Sequence, residues 1–511
     1  MWLAVLVLAV VATGFAIVRD VHMFQLNSYK PREQARWLAG HRTAWLPAVV
    51  AALIGVASLA WAFVSGVILV LWLLLVAGLS LPHPRRAKKP LVVTARVRRL
   101  LVTIGVVVAV LVVAAVVVPA FVRTLMVVAP FVLSPVLTLL ANALNAPAEA
   151  AIRHRYLNDA KRRLAAQPGL IKIGITGSYG KTSVKYYLAT LLKGHYNVLM
   201  TPESYNTPMG ITKTIRGDLR ATHEVFVCEM GAQHVGDIKE DCDLVGPTIG
   251  VITAIGEQHL ASFGSQAAIL RTKLELAAAV KGRGPLYLNG DNDLLRANQP
   301  DQARHLYGLG TDCDTYAADI AVTLAGTTFS LTHRGHTLTG LTTPLIGRHN
   351  IQNLTGAAAV ALDLGVTEDE LRAQLRKLAP APHRLALRRQ GNVTILDDAY
   401  NSNPAGAQAA LDTLCLFDAM RIVITPGMVQ LGERQAALNE AFGAGTAVAD
   451  HVFLVGAKQT EPIAKGLLGT GYDPAKLTIV EDVQAALAQA YALPCDGDKV
   501  ILLENDLPDN Y

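Results

Sequence analysis

The sequence predicts a multi-pass α-helical membrane region followed by two α/β domains, a central one with a mostly parallel sheet and a smaller Rossmann-like one. Three observations predict it. Apolar runs crowd the chain before residue 146, short apolar runs then alternate with helical patterns, and a strand, a glycine turn and a helix start follow one another from Ile171 to Lys185. Boundaries fall at 1–150, 151–380 and 381–511.

The first region rests on composition. Of 511 residues 52% are apolar and the mean hydropathy is +0.34, more than a water-exposed chain needs. Trp2 to Val18 is uncharged and apolar, Thr43 to Leu81 is long enough for two spans, and Leu100 to Val118 and Thr124 to Leu144 are two more. At about 20 residues per span this gives five transmembrane helices. Turns are expected at Phe63 to Gly66 and at Pro119 to Arg123. The first run lacks the basic flank of a cleaved signal peptide.

Arg19, Lys30, Arg32, Arg36 and Arg42 follow span one, and Arg85, Arg86, Lys88, Lys89, Arg96, Arg98 and Arg99 lie between spans three and four. Both loops should face the cytoplasm, and so should everything after residue 150. The expected location is therefore the cell membrane, multi-pass, with the α/β domains cytoplasmic. No Asp, Glu, Lys or Arg falls inside a span, which excludes an ion pathway and favours an anchor.

The net charge of +6 comes largely from those loops and from Arg153, Arg155, Lys161, Arg162 and Arg163, which suit membrane lipid headgroups. Without interleaved aromatics they do not suit nucleic acid. Five cysteines without a C-x-x-C pair exclude a zinc ribbon and a disulfide framework.

The stretch IKIGITGSYGKTSVK (171–185) organises the second region. Ile171, Ile173 and Ile175 read as a buried strand, Gly177 and Gly180 as a turn, and Lys181, Thr182 and Ser183 as the opening of a helix through Leu192. In that geometry backbone N–H groups converge on an anion, Lys181 adds positive charge, and the Thr182 hydroxyl can hold Mg²⁺. Gly177, Ser178, Gly180, Lys181, Thr182 and Ser183 form a candidate P-loop cradle for nucleotide phosphates. Ile175 stands where the strict pattern has its first glycine, so a structural turn with a solvated Lys181 remains the alternative.

Ahead of this stretch, 151–168 reads as a basic helix stopped by Pro168 and Gly169. After it, apolar runs at 224–228, 248–255 and 285–289 alternate with helical patterns such as Gln266 to Val280, which predicts a mostly parallel sheet. Ala317 to Leu345 reads as a small antiparallel appendage and His349 to Leu364 as an Ala-rich helix. Past Pro380 a second series begins at 393–396 and continues at 421–425, 452–455, 477–480 and 500–503. The cleft between the two units, beyond the carboxyl ends of the strands, is the expected site.

Several stretches in order resemble the Mur ligases, ATP-dependent amide-forming enzymes of peptidoglycan precursor synthesis, and within them the type that adds D-alanyl-D-alanine. They are GITGSYGKTSVK (174–185), SYNTPMGI (204–211), CEMGA (228–232), VITAIGEQHLASFGS (251–265), RTKLELA (271–277), LNGDND (288–293), GRHNIQNLTGAAAVA (347–361), PHRLAL (382–387) and DDAYNSNPAGAQAAL (397–411). The resemblance implies that ATP phosphorylates a carboxylate and an amine then attacks the acyl phosphate, giving an amide, ADP and phosphate.

It also implies roles for particular residues. Glu229 and His259 would coordinate Mg²⁺, with Thr182 as a further ligand. Lys273 occupies the place of a carbamylated lysine, although Arg271 and Glu275 beside it also fit a solvated helix face. Asn350 and Asn353 would face the base, Arg384 the γ-phosphate and Asp398 the ribose. Asn206, Tyr400 and Asn401 are candidates on the substrate side.

Two places depart from the family. Soluble Mur ligases begin with a UDP-binding domain, and five expected spans stand there instead, so the carboxylate partner is either a muropeptide or a lipid-linked envelope precursor, and the amine an amino acid or a dipeptide. The ending LLENDLPDNY (502–511) replaces a Lys-Gly-Ser-Arg-like one, with Glu504, Asp506 and Asp509 either suiting an ammonium group or merely solvated, and Gln430 replaces an acidic residue. The expected function is an ADP-forming carboxylate–amine ligase. A poly-γ-glutamate-type synthetase and a non-catalytic ATP-binding membrane scaffold are the alternatives.

Overall fold

The computed structural model describes residues 2–40, 49, 50, 53, 90–257, 260–399 and 403–505. They fall into two compact units that divide between Arg155 and Tyr156.

The first unit is helical. Trp2–Leu26, Ala95–Ala114 and Ala120–Val132 are its main helices, and Ser134–Ala165 starts within it. Small residues let them approach: Ala9, Ala12 and Ala16 pack on Val127, Val128 and Phe131, while Val21 and Phe24 pack with Val97, Leu100 and Ile104.

Among the described residues two helices, Leu6–Leu26 and Ala95–Ala114, are long and apolar enough to cross a membrane, and the bent pair Met126–Val132 and Ser134–Ala165 is a third if taken as one span; Thr43 to Leu81, read as two of the five, lies almost wholly outside the described residues. Thr124 to Leu144 is not one straight span, because Met126–Val132 and Ser134–Ala165 meet at 82°. Pro135 lacks the N–H that would continue the helix onto Phe131, so the chain turns there. Nor is the first helix free of charge. It runs on past Val18, and Asp20 is wholly buried, accepting from Ser134 Oγ at 2.6 Å and pairing with Arg19 at 3.1 Å.

The second unit holds two sheets. The first has nine strands in the order β2-β3-β1-β4-β5-β6-β7-β8-β9, with β1 Ile171–Thr176, β2 Val198–Met200, β3 Val225–Glu229, β4 Ile249–Ile252, β5 Leu286–Asn289, β6 Arg304–Gly308, β7 Thr315–Thr323, β8 Gly326–His333 and β9 His336–Thr343. Neighbours pair in parallel as far as β7, and β7 to β9 are antiparallel. The expected appendage is therefore an extension of the main sheet, joined where Tyr307 and Gly308 pair with Thr315 and Tyr316.

Helices cover both faces of this sheet, as parallel strands require. Tyr187, Leu188 and Leu191 of helix Lys181–Leu192 pack with Leu354, Ala357 and Ala358 of helix Arg348–Asp363. Ile211, Ile238, Ile269 and Leu276 close the other face.

The second sheet has six strands in the order β10-β11-β15-β12-β13-β14, with β10 Ala386–Gln390, β11 Val393–Asp398, β12 Met420–Thr425, β13 His451–Val455, β14 Leu477–Val480 and β15 Lys499–Glu504. Only the edge strand β10 is antiparallel to its neighbour. Register sets Asp398 opposite Glu504 at the carboxyl ends of β11 and β15.

Candidate active site

The site starts at the loop between β1 and helix Lys181–Leu192. Gly177 has φ +147° and Gly180 φ +81°, and a Cβ on Gly177 would run into Thr253 Oγ1 and the backbone of Ala254. Glycine is needed there for both conformation and space. The loop is stapled to the chain leaving β4: Ser178 N donates to Ala254 O at 2.6 Å, and Ser178 Oγ donates to Gly256 O at 3.1 Å. Lys181 Nζ folds back to donate to Gly177 O at 2.8 Å and Ser178 O at 3.1 Å. Desolvation pulls Lys181 down to about 8; Glu229 opposes that shift and the Arg384 charge adds to it.

Pairing of Ile175 with Glu229 across β1 and β3 carries a carboxylate to this loop. Glu229 is 1% exposed. Its Oε1 accepts from Asn206 Nδ2 at 3.0 Å and Thr182 Oγ1 at 3.3 Å, and its Oε2 pairs with Lys185 Nζ at 3.0 Å. Burial pushes the carboxyl up, but Lys185, Lys181 and the Asn206 bond outweigh it and hold Glu229 below its ordinary range. The structure thus brings Thr182, Asn206 and Glu229 together. His259 lies outside the described residues.

Lys185, wholly buried, is a site residue that the sequence reading passed over. The signal was there. A lysine four residues after Lys181, between Val184 and Leu188 on the buried side of an amphipathic helix, needs a carboxylate partner.

The chemistry of these donors fits Mg²⁺: an ionised carboxylate and a hydroxyl are hard oxygen ligands for an ion that keeps waters and phosphate oxygens around it. Among the described residues no three His, Cys, Asp or Glu side chains converge, so a closed protein cage for a metal is not present there.

Lys273 is not on a solvated face. It is 3% exposed, and burial followed by the charge of Lys181 brings it down to about 7, against Asp237, Asp241 and Glu275. Asn353 lies beside Gly180, where a Cβ would touch its amide. Asn350 is buried instead, accepting from Tyr187 OH at 2.8 Å and donating to Ile346 O at 2.8 Å, so its amide is taken up within the fold.

Arg384 stands between two left-handed residues, His383 at φ +56° and Leu385 at φ +48°. Such strain is found where a side chain must be aimed. Both neighbours are held from β11: Leu385 N donates to Asp398 Oδ1 at 3.2 Å, and His383 Nδ1 lies 2.8 Å from Asp397 Oδ2. Arg384 is within electrostatic reach of both Lys181 and Asp398. Burial raises Asp398 to about 6 against the pull of Arg384 and a hydrogen bond with Glu504. Glu504 is itself fully buried, so that part of the ending is not a solvated tail. Tyr400, Asn401, Asp506 and Asp509 lie outside the described residues.

Residues 175–361 match the Mur ligase middle domain, and residues 383–503 match the Mur ligase glutamate ligase domain. The UDP-N-acetylmuramoyl-tripeptide–D-alanyl-D-alanine ligase of Escherichia coli is 33% identical over 304 residues, 57% of this chain and 66% of the relative. That of Mycobacterium tuberculosis is 34% identical over 288 residues, 54% of this chain and 56% of the relative. The chain thus spans less than two thirds of the length of these relatives. Among solved structures, MurF from Acinetobacter baumannii superposes with a TM-score of 0.63 at 25% identity, covering 69% of this chain and 77% of that one. MurF from Thermotoga maritima in complex with ADP gives 0.61 at 25% identity, covering 69% and 80%. Folylpolyglutamate synthase from Mycobacterium tuberculosis shares the fold, with a TM-score of 0.53 at 19% identity over 69% of this chain and 92% of that one.

These relatives also correct the multi-pass membrane location expected from the sequence. They are ligases named for a UDP-linked precursor, and among the described residues two helices are long and apolar enough to cross a membrane by length and composition only. Lipid headgroups and a lipid-linked precursor fall as partners with that location.

Proposed function

We propose, because this chain belongs to the Mur ligase family, that it is an ATP-dependent, ADP-forming ligase joining a carboxylate to an amine on a peptidoglycan precursor. One observation carries this reading. Lys181, Thr182 and the ionised, buried Glu229 converge at the start of one helix, with Arg384, beside the second sheet, within electrostatic reach of Lys181.

In this reading the loop 177–180 and the first N–H groups of helix Lys181–Leu192 cradle the ATP phosphates, and Lys181 turns from its loop carbonyls to the outer phosphates. Thr182 and Glu229, with His259, would hold Mg²⁺, which neutralises charge on the phosphates and polarises the transferring group. Asn353, beside the loop, is assigned to the nucleotide, while the Asn350 amide is occupied by Tyr187 and Ile346. Arg384 reaches the γ-phosphate, and Asp398 takes the ribose.

A substrate carboxylate oxygen then attacks the γ-phosphorus, and ADP leaves. The amine nitrogen attacks the acyl carbon, phosphate leaves with the C–O bond electrons, and the nitrogen gives up a proton to the departing phosphate or to solvent. Positioning and cations supply most of the rate in such transfers. Lys273, brought down to about 7 by burial and the charge of Lys181, is partly unprotonated at neutral pH, the form whose nitrogen adds CO₂, which supports its carbamylation. Asn206 contributes to the carboxylate side; Tyr400 and Asn401 remain assigned to the substrates. The carboxylate substrate is a UDP-linked muropeptide and the amine an amino acid or dipeptide.

Lys181→Ala tests the reading. ADP release should fall by about a hundredfold or more while the fold persists; a variant that keeps its turnover would remove the phosphate-loop assignment.

A further inference from the structure

The loop that follows β2, residues 201–206, is wrapped around Glu229 from end to end. Thr201 Oγ1 accepts from Glu229 N at 3.1 Å, and Thr201 N donates to Val227 O at 3.0 Å. At the far end Asn206 Nδ2 donates to Glu229 Oε1 at 3.0 Å, and Asn206 O accepts from Gly231 N at 2.7 Å. Between these anchors the chain turns at Glu203, a non-glycine residue with φ +42°. Its carbonyl oxygen accepts from Lys185 Nζ, the same ammonium that pairs with Glu229 Oε2 at 3.0 Å. The Glu203 side chain is exposed, so the backbone is what Lys185 holds.

We propose that Lys185 is a positioning residue that locks the 201–206 loop onto Glu229, so that the carboxylate at the metal end of the site and the loop at the substrate end move as one piece. The ammonium has two jobs: it balances a buried carboxylate, and it fixes a backbone oxygen in a conformation the chain would otherwise leave. A left-handed non-glycine residue persists only where its surroundings over-determine it, and here the fully buried Lys185 does so. The loop sits at the carboxyl end of β2 beside the end of β3, where open α/β sheets receive ligands. Its role toward a carboxylate substrate rests on the ligase reading; the clamp itself rests on the geometry.

The test is hydrogen exchange of the 201–206 amides in the full-length protein, read beside turnover. In Lys185→Met the loop amides should exchange about tenfold faster or more, and kcat/KM for the muropeptide should fall about tenfold to a hundredfold. Adding Glu203→Gly to that variant should recover part of the lost kcat/KM, since glycine takes φ +42° without strain. A residue that served only to balance the charge of Glu229 would gain nothing from that glycine.

Losing one partner of a buried pair can prevent folding. If Lys185→Met does not fold, Lys185→Met with Glu229→Gln removes both charges, and the same exchange is read there. Unchanged loop exchange in whichever variant folds overturns the proposal. Wild-type protein with no turnover, but with loop exchange that rises on loss of Lys185, overturns the ligase reading and leaves the clamp standing.

Discussion

Asp241 and Lys273 are electrostatic neighbours in one buried patch, and each is driven toward its neutral form. Burial, with Glu240 and Asp237, carries the Asp241 carboxyl up to about 9 against the pull of Lys273. Burial and Lys181 bring the Lys273 amine down to about 7. Among the described residues neither Asp241 oxygen has a hydrogen-bond partner, although the side chain is wholly buried between Ile238 and Cys242 on the inner face of helix Asp237–Val245. An orphaned buried carboxyl costs stability. Asp241→Leu should therefore stabilise the protein by about 1–3 kcal/mol in urea unfolding. Destabilisation would show that the carboxyl has a partner the geometry misses.

The pair also sets a pH dependence. A lysine whose folded pKa is lowered leaves the native state with fewer protons than the unfolded chain above about 7, so its contribution to stability grows as pH rises from about 7 to 10.5. A carboxyl whose folded pKa is raised does the reverse from 3.8 to about 9. For activity the lysine is the readable member. If the carbamate forms on neutral Lys273, bicarbonate should stimulate turnover more at pH about 8 than at about 6, and Lys273→Ala should abolish the stimulation. Turnover indifferent to bicarbonate at both values would remove the carbamate.

At the phosphate loop, Gly177→Ala places a methyl group against Thr253 Oγ1 and the Ala254 backbone at a φ that L-residues avoid. ATP affinity should drop about tenfold or more, measured by calorimetry, with the second sheet's unfolding unaffected. Unchanged affinity would mean that the loop does not cradle phosphates.

On the far side of the unit, Asp363 accepts from Tyr287 OH at 2.7 Å and pairs with Arg334 at 2.9 Å and His333 at 3.3 Å. Burial would raise it, but His333, Tyr287 and Arg334 hold it well below the carboxylate range. His305, stacked on His333, is lowered by burial. A lowered carboxylate loses its contribution as pH falls through its folded pKa, and a lowered histidine lets the unfolded chain take up the proton first, so both make acid destabilising. Asp363→Asn should cost about 1.5–3 kcal/mol at neutral pH and flatten the acid limb of the stability profile. An unaltered acid limb would place the acid-sensitive groups elsewhere.

What the sequence made legible was whatever local pattern dictates. The strand, glycine turn and helix of 171–192 follow from Ile alternation and from Gly177 and Gly180, and the parallel order of the first sheet follows from its helical spacers. What it hid depends on partners far along the chain. Lys185 looks like any helix lysine until the register of β1 against β3 brings Glu229 to it, and Lys273 looks solvated until helix Asp237–Val245 is seen to pack beside it. Glu504 read as part of an acidic tail because nothing local reveals that β15 runs beside β11. The bend within Thr124 to Leu144 was hidden for a related reason: hydropathy records apolar runs, not the turn at Pro135 or the buried Asp20 just past the end of the first run.

The measurement that bears most directly on the central claim is ADP release by purified full-length protein with Mg²⁺-ATP, a UDP-linked muropeptide and either D-alanyl-D-alanine or single amino acids. The ligase account predicts release that requires the muropeptide and an amine together and is lost in Lys181→Ala. ATP that binds at the loop but is turned over with no pair of substrates would contradict it and point to a nucleotide-binding protein without ligase chemistry.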